Sequence, residues 1–208
     1  DNPEAVADDI DHLGSRRVRF VGELIESKIR TGMMQVKRNI QDRMSVVESD
    51  KNQPSEFVNQ RPLQARIKEF FTTNQLSQFM NQDNLLAEVE HLRTLSALGP
   101  GGLNKDRATF EVRDVHTSHY GRVCPIHTPE GANIGLILRM SLYAKINNFG
   151  IVETPYVKVK NGKITGEIVY LNALEEEKSV IAHQGVNMDP KGNILDEVVQ
   201  ARINTNPG

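Results

Sequence analysis

Four side chains able to bind a soft metal lie near the middle of the chain: His116, His119, Cys124 and His127, spaced His-x2-His-x4-Cys-x2-His. Imidazole nitrogen and thiolate are ordinary zinc donors, so the run suits a small metal site. The competing reading is structural. Phe110 to Val115 alternates in the manner of a strand, and Cys124-Pro125-Ile126 is apolar. A lone cysteine in such a setting usually behaves as a small buried hydrophobe. A second feature is Gly99-Pro100-Gly101-Gly102. Glycine-rich loops can cradle phosphate with backbone N–H groups. Lys105 and Arg107 follow closely, as a loop touching a nucleic-acid backbone requires. The Gly-Lys-Ser/Thr ending of a Walker motif is missing, and on its residues alone the run is a sharp turn. A third feature is Thr128-Pro129-Glu130-Gly131-Ala132-Asn133-Ile134-Gly135, a polar turn leading into an apolar stretch. Thr128 is a candidate helix N-cap there, with Glu130 in the first turn. No Ser/His/Asp or Cys/His signature stands out, nor an Asp-rich motif of the kind used in two-metal phosphoryl transfer.

The elements that must position these residues have to come from 208 residues, enough for one sizeable core or two modest modules. Apolar residues make up 38% and charged residues 25%, a globular composition and not that of a disordered tail. The net charge of -2 and pI of about 6.3 argue against a simple, wholly basic nucleic-acid-binding domain. The average hides a local bias. Arg16, Arg17, Arg19, Lys28, Arg30, Lys37, Arg38 and Arg43 are opposed only by Glu23, Glu26 and Asp42. Cys124 is the single cysteine, so no intramolecular disulfide can form, in keeping with a reducing compartment. No apolar run approaches bilayer length and no signal peptide is visible. The chain opens on Asp1-Asn2-Pro3 without Met and closes on Asn206-Pro207-Gly208, and both ends are expected to be cuts in something longer.

The spacing predicts an α+β fold. Val18, Val21, Ile25, Ile29, Met33, Val36, Ile40, Met44 and Val47 recur at helical intervals over 16–47 and are expected to form a core-facing stripe. Residues 48–60 read as a polar loop with Pro54, and a helix is expected from Pro62 to about Phe71. Asn84–Leu95 is helical in spacing and stops at the glycine loop. Residues 110–126 read as strand, and Ala132–Ile146 as a buried helix. Residues 151–160 and 163–170 flank Asn161-Gly162, a hairpin signal, and 179–182 and 198–203 read as further short strands.

The most specific signal is a string of local words. It runs Gln75-Leu76-Ser77-Gln78-Phe79-Met80, then Leu95-Ser96-Ala97-Leu98 into the glycine loop and Leu103. It continues through Phe110-Glu111-Val112-Arg113-Asp114-Val115-His116, His119-Tyr120-Gly121-Arg122-Val123-Cys124-Pro125-Ile126 and Thr128-Pro129-Glu130-Gly131. Asp8-Asp9-Ile10-Asp11-His12-Leu13-Gly14 with Arg16-Arg17 precedes it, and Glu153-Thr154-Pro155-Tyr156 follows. Together these resemble the β subunit of bacterial RNA polymerase across its fork and rifamycin-binding region, in register along essentially the whole chain.

The resemblance implies residues 1–19 and 77–208 in the fork, 20–76 in part of the protrusion, and 99–113 as the fork loop. It implies contacts to DNA from Ile10, Asp11, Arg16, Leu103, Lys105, Arg107 and Val112. Ile10, Asp11, Arg16, Leu103 and Val112 correspond to a pocket for an unpaired guanine of the non-template strand. A carboxylate such as Asp11 can accept from guanine N1–H and N2–H2, donors that adenine does not present on that edge. Glu130 and Asn133 correspond to residues near the RNA 3′ end. Gln75, Leu76, Gln78, Phe79, Asn81, His91, Ser96, Leu98 and Ile137 correspond to the wall occupied by rifamycins. The implied partners are the β′, α and σ subunits, both DNA strands and nascent RNA, in the nucleoid-associated cytoplasm and away from membrane. The resemblance gives no cofactor to this stretch: Mg2+ belongs to β′, and the piece alone is not catalytic.

Several positions depart from the family pattern. Asn81 stands where Asp is usual, and Leu85 where Pro is usual. Leu92 and Thr94 replace basic residues, His127 replaces Glu, and Leu138-Arg139 replaces a small polar pair. The scaffold words survive, while the rifamycin wall loses charge. A free-standing nucleic-acid-binding module and a small zinc protein remain the alternatives.

Overall fold

The computed structural model describes residues 9–46, 53–203 and 206–207. Two compact units emerge, one of Arg19–Glu88 with Ala97–Asn104, the other of Asp1–Val18, Val89–Ser96 and Lys105–Gly208. Helices and antiparallel sheets make the α+β class.

The first unit is helical. Helix α1 spans Val21–Val46, α2 Pro54–Phe57 and α3 Arg61–Thr73. Pro62 sits in the first turn of α3, where its missing N–H costs nothing. α1 packs on α3 where Gly32 faces Leu63: a Cβ on Gly32 would lie 3.0 Å from the Leu63 Cα, so the backbones approach because glycine stands there. Val36 and Phe70 are buried, and Glu69 draws in Lys28 at 3.1 Å and Arg66 at 2.9 Å. The expected core-facing stripe is therefore corrected. Of α1 only Gly32 and Val36 are buried, whereas Val21, Ile29, Met33 and Met44 are exposed. α3 is half the length of α1 and meets only part of it. Val47 and the predicted loop at 48–52 lie outside the described residues, and 54–57 form α2 where a loop was expected.

Helix α4 (Leu85–Leu92) begins in the first unit and runs into the second, where strand β1 (Thr94–Ser96) follows it. Helix α5 (Phe110–Arg113) and a 3-10 turn at Thr117–His119 follow. Strand β2 (Ile137–Arg139) pairs antiparallel with β1, Leu95 opposite Leu138. β3 (Lys145–Ile146), β4 (Val152–Lys160) and β5 (Lys163–Leu171) form a meander. Helix α6 (Ala173–Glu177) has a capping box, Asn172 and Glu175 each accepting from the other's backbone N–H. β6 (Ile181–Ala182), β7 (Ala201–Ile203) and β8 (Asn206–Pro207) make a third small sheet. Leu13, Val123 and Ala173 form the core, with Leu95 and Leu138 against it.

The Asn161-Gly162 hairpin forms as expected. Both residues have positive φ, 52° and 72°, the pairing a tight two-residue turn needs. Two expectations fail. Residues 110–126 are not strand: α5 and the 3-10 turn occupy them, and Phe110, which alternation would assign to a sheet face, is 88% exposed. Ala132–Ile146 is not a helix. Gly135 takes φ +70°, and the apolar residues that mimic helical spacing belong to turns and to β2 and β3.

Candidate nucleic-acid interface

The glycine loop closes on itself. The Gly102 N–H donates to Gly99 O at 2.9 Å and Leu103 N–H to Ala97 O at 2.8 Å, while Leu98 and Leu103 bridge. Gly99 and Gly101 have φ of +101° and +73°, and a Cβ on Gly102 would meet Ala97 O at 2.4 Å. Two of the loop's N–H groups are thus used internally, which favours a rigid turn over a phosphate cradle. Arg19 clamps the outside, its guanidinium donating to Pro100 O. Leu76 packs over Gly99. Of the residues assigned to the rifamycin wall within this helical unit, Leu98 is buried, Leu76 is half-buried, and Gln75, Gln78, Phe79 and Asn81 are exposed. Leu103 lies on the loop, 37% exposed.

In the second unit the turn 128–137 displays Glu130 and Asn133. Thr128 caps no helix: its hydroxyl donates to Ile137 O at 3.0 Å and accepts from Gly135 N–H at 2.9 Å, closing the turn. Asn133 O accepts from Leu136 N–H, and Glu130 is exposed beside the open Gly131. Sequence reasoning missed Arg113. Its guanidinium donates to Ala132 O and Ile134 O at 2.8 and 2.9 Å, and to Lys105 O at 3.1 Å. One side chain therefore joins the turn bearing Glu130 and Asn133 to the segment bearing Lys105 and Arg107. The signal for it was its place within the word Phe110-Glu111-Val112-Arg113-Asp114-Val115-His116. A cleft of about 250 Å³ opens between Ala108, Phe110, Arg113, Gly131, Ala132 and Ile134. Lys105 and Arg107 are exposed beside it in sequence.

Of the residues assigned to the guanine pocket, Asp11 and Arg16 come together, 3.6 Å apart. Ile10 is 78% exposed, Val112 is half-buried on α5, and Leu103 belongs to the helical unit. The wall residues His91, Ser96 and Ile137 fall in the second unit, Ser96 directly opposite Ile137 in the β1–β2 ladder.

The zinc-like spacing does not become a cluster. His116 Nε2 meets Asp9 Oδ2 at 2.7 Å, and His119 is buried under the 3-10 turn. The Cys124 sulfur accepts from His127 N–H, and the His127 ring lies 3.3 Å from Glu90. Among the described residues no three His, Cys, Asp or Glu converge to hold a metal. Arg139 and His127 meet at one carboxylate instead. Arg139 Nε and His127 Nε2 both face Glu90 Oε1, and the Arg139 hydrogen bond holds the Glu90 carboxyl below its usual range.

Deep in the same unit, Arg122 is wholly buried. It donates to Val152 O, Ser118 O, Tyr120 O and Leu171 O. Glu176 faces it at 2.6 Å and also faces Arg202, though neither contact is aligned as a hydrogen bond, so the pairing is chiefly Coulombic. The Arg202 guanidinium stacks 4.3 Å over the Tyr120 ring.

Residues 78–146 match the family described as RNA polymerase Rpb2, domain 3, and residues 156–207 match the RNA polymerase beta subunit external 1 domain. The DNA-directed RNA polymerase subunit beta of Nitratidesulfovibrio vulgaris (strain Miyazaki F) is 56% identical over 197 residues, 95% of this chain. The chain belongs to the RNA polymerase β-subunit family, and it spans 14% of the length of that relative.

Proposed function

We propose that this chain forms part of the DNA- and RNA-facing wall of the active-centre cleft of a DNA-dependent RNA polymerase. The observation that carries the reading is the 56% identity, in register, over 95% of the chain. Nucleotidyl transfer belongs to the assembled enzyme with β′, α and σ subunits. In this reading Mg2+ is held by β′. Residues 1–19 and 77–208 are assigned to the fork, with 99–113 as its loop, and 20–76 to part of the protrusion. The compact unit beginning at Arg19 supports the first of these boundaries.

In this reading Lys105 and Arg107 contact the DNA backbone, Asp11 with Arg16 receives an unpaired guanine, and Ile10, Leu103 and Val112 are further DNA contacts. Glu130 and Asn133 position the RNA 3′ end from the turn that Thr128 and Arg113 hold. Gln75, Leu76, Gln78, Phe79, Asn81 and Leu98 of the helical unit, and His91, Ser96 and Ile137 of the second, are each assigned to face the nascent RNA. No helix among the described residues is long and apolar enough to cross a membrane, and the assigned setting is the nucleoid. A photo-crosslinking residue replacing Asn133 within the full β subunit tests the reading in the reconstituted enzyme. Crosslinks to the RNA 3′ end of a halted complex are expected. Labelling of distal DNA or of protein alone would overturn the assignment.

A further inference from the structure

Residues 9–13 and 116–118 are joined by a ring of hydrogen bonds around one imidazole. The Ser118 N–H donates to His116 Nδ1 at 3.1 Å, which makes Nδ1 the acceptor nitrogen. The neutral ring then carries its proton on Nε2, and Nε2–H donates to Asp9 Oδ2 at 2.7 Å. The other oxygen, Asp9 Oδ1, accepts from Asp11 N–H at 3.0 Å. On the other side the Ser118 hydroxyl lies 2.7 Å from Nδ1 and accepts from Leu13 N–H at 3.0 Å. The backbone amides of Asp11 and Leu13 are thus tied, through Asp9 and Ser118, to the two nitrogens of His116. Asp11 sits between the two ties with Arg16 beside its carboxylate, and Arg16 N–H closes the turn onto His12 O at 3.1 Å.

An Asp–His–Ser series of this order can activate a serine nucleophile. Here Ser118 is 1% exposed, with its hydroxyl engaged on both sides, so no substrate reaches it. The series is a clamp. One end is anchored in the core at Leu13 and Ser118, and the other reaches the surface at Asp9.

We propose that His116 is a positioning residue for Asp11: through Asp9 it fixes the backbone that aims the Asp11 carboxylate, and so sets the preference for guanine over adenine. The inference rests on the reading of Asp11 as the guanine-contacting residue. Accepting from N1–H and N2–H2 together is directional, and hydrogen bonds weaken steeply as their angle closes. A swing of the 9–13 segment therefore removes discrimination without removing the carboxylate.

The test uses reconstituted holoenzyme carrying the full β subunit, and forked DNA with guanine or adenine at the non-template position assigned to Asp11. The guanine-to-adenine affinity ratio is taken within one preparation, so inactive enzyme cancels. Asp11→Ala should bring the ratio near unity. His116→Leu should lower it roughly tenfold, on the scale of losing one hydrogen bond to a charged group. Asp9→Ala, a surface change that leaves the Ser118 side of the clamp intact, should lower it similarly and decides the matter if His116→Leu fails to assemble. His116→Gln, whose amide nitrogen can still donate to Asp9, should retain most of the ratio. A wild-type ratio in both His116→Leu and Asp9→Ala, with Asp11→Ala near unity, overturns the proposal alone. A wild-type ratio in Asp11→Ala overturns the guanine reading and the proposal with it.

Discussion

His119 lies beneath the 3-10 turn with 6% of its surface exposed, its Nδ1 accepting from His116 N–H. Burial, then the neighbouring His116 and Arg16, push its pKa down to about 4 from an ordinary 6.5. The unfolded chain therefore binds a proton in this window that the folded chain does not. The stabilisation is complete above pH 6.5 and is lost as the pH falls toward 4, by up to about 3 kcal/mol. The lowered carboxyls of Asp9, Glu69 and Glu90 act below their ordinary values of 3.8 to 4.5, at the acid edge of this range. Urea unfolding between pH 7 and 4.5, followed by circular dichroism, should show the slope in the wild type and a much flatter one in His119→Asn. Equal slopes would assign the acid sensitivity elsewhere. At this scale the sequence showed the right residues in the wrong relation. Three histidines and a cysteine with zinc-like spacing are legible, but their partners Asp9, Ser118 and Glu90 are remote or unremarkable in the chain, and spacing alone cannot reveal them.

The two turns that carry the most backbone constraint differ in what surrounds them. Gly162 has φ +72° with nothing within 4 Å of an added Cβ, so Gly162→Ala meets only backbone strain, about 1 kcal/mol. Gly135 has φ +70°, and its Cβ would lie 2.3 Å from Arg113 O, a backbone atom. Gly135→Ala should therefore cost roughly 3 kcal/mol or more, since strain adds to displacement of the arginine that ties two loops. Paired urea titrations check the ordering, and equal losses would mean that the 128–137 turn yields at little cost. The same contrast explains which elements could be read in advance. The hairpin is specified by local turn chemistry between two alternating runs. The 132–146 stretch is specified by distant partners, β1 for β2 and Val123 bridging Met140. Its apolar periodicity was misleading because residues of separate short elements happened to fall three or four apart.

The two segments that match separate family descriptions, 78–146 and 156–207, are joined through one buried charge group. Arg122 belongs to the first, Glu176 and Arg202 to the second, and the side chain of Glu176 is 2% exposed. Glu176→Leu leaves a buried guanidinium without its carboxylate and should cost on the order of 3–5 kcal/mol, whereas Arg122→Met with Glu176→Leu should cost less than the sum of the two single losses, the carbonyls that Arg122 serves still losing their donor. Additive losses in thermal unfolding would mean that the pair is not coupled. On the proposed reading of the rifamycin wall, two positions bear on the whole enzyme. An amide at Asn81 and a hydroxyl at Thr94 replace groups capable of charged hydrogen bonds. Rifamycin inhibition should be weaker by roughly tenfold or more than with those charges restored. Equal inhibition of the reconstituted enzyme and of its Asn81→Asp, Thr94→Arg variant would contradict this.

Glu90 receives Arg139 and His127 from two other stretches of the chain. Their shared carboxylate makes the three positions epistatic. An Arg139 arriving before Glu90 would place an unneutralised cation beside β1, and a Glu90 arriving first would lack both counterions. The order in which such a trio can be acquired is therefore constrained, and grafting any one of its members into a relative should be harmful where grafting all three is tolerated.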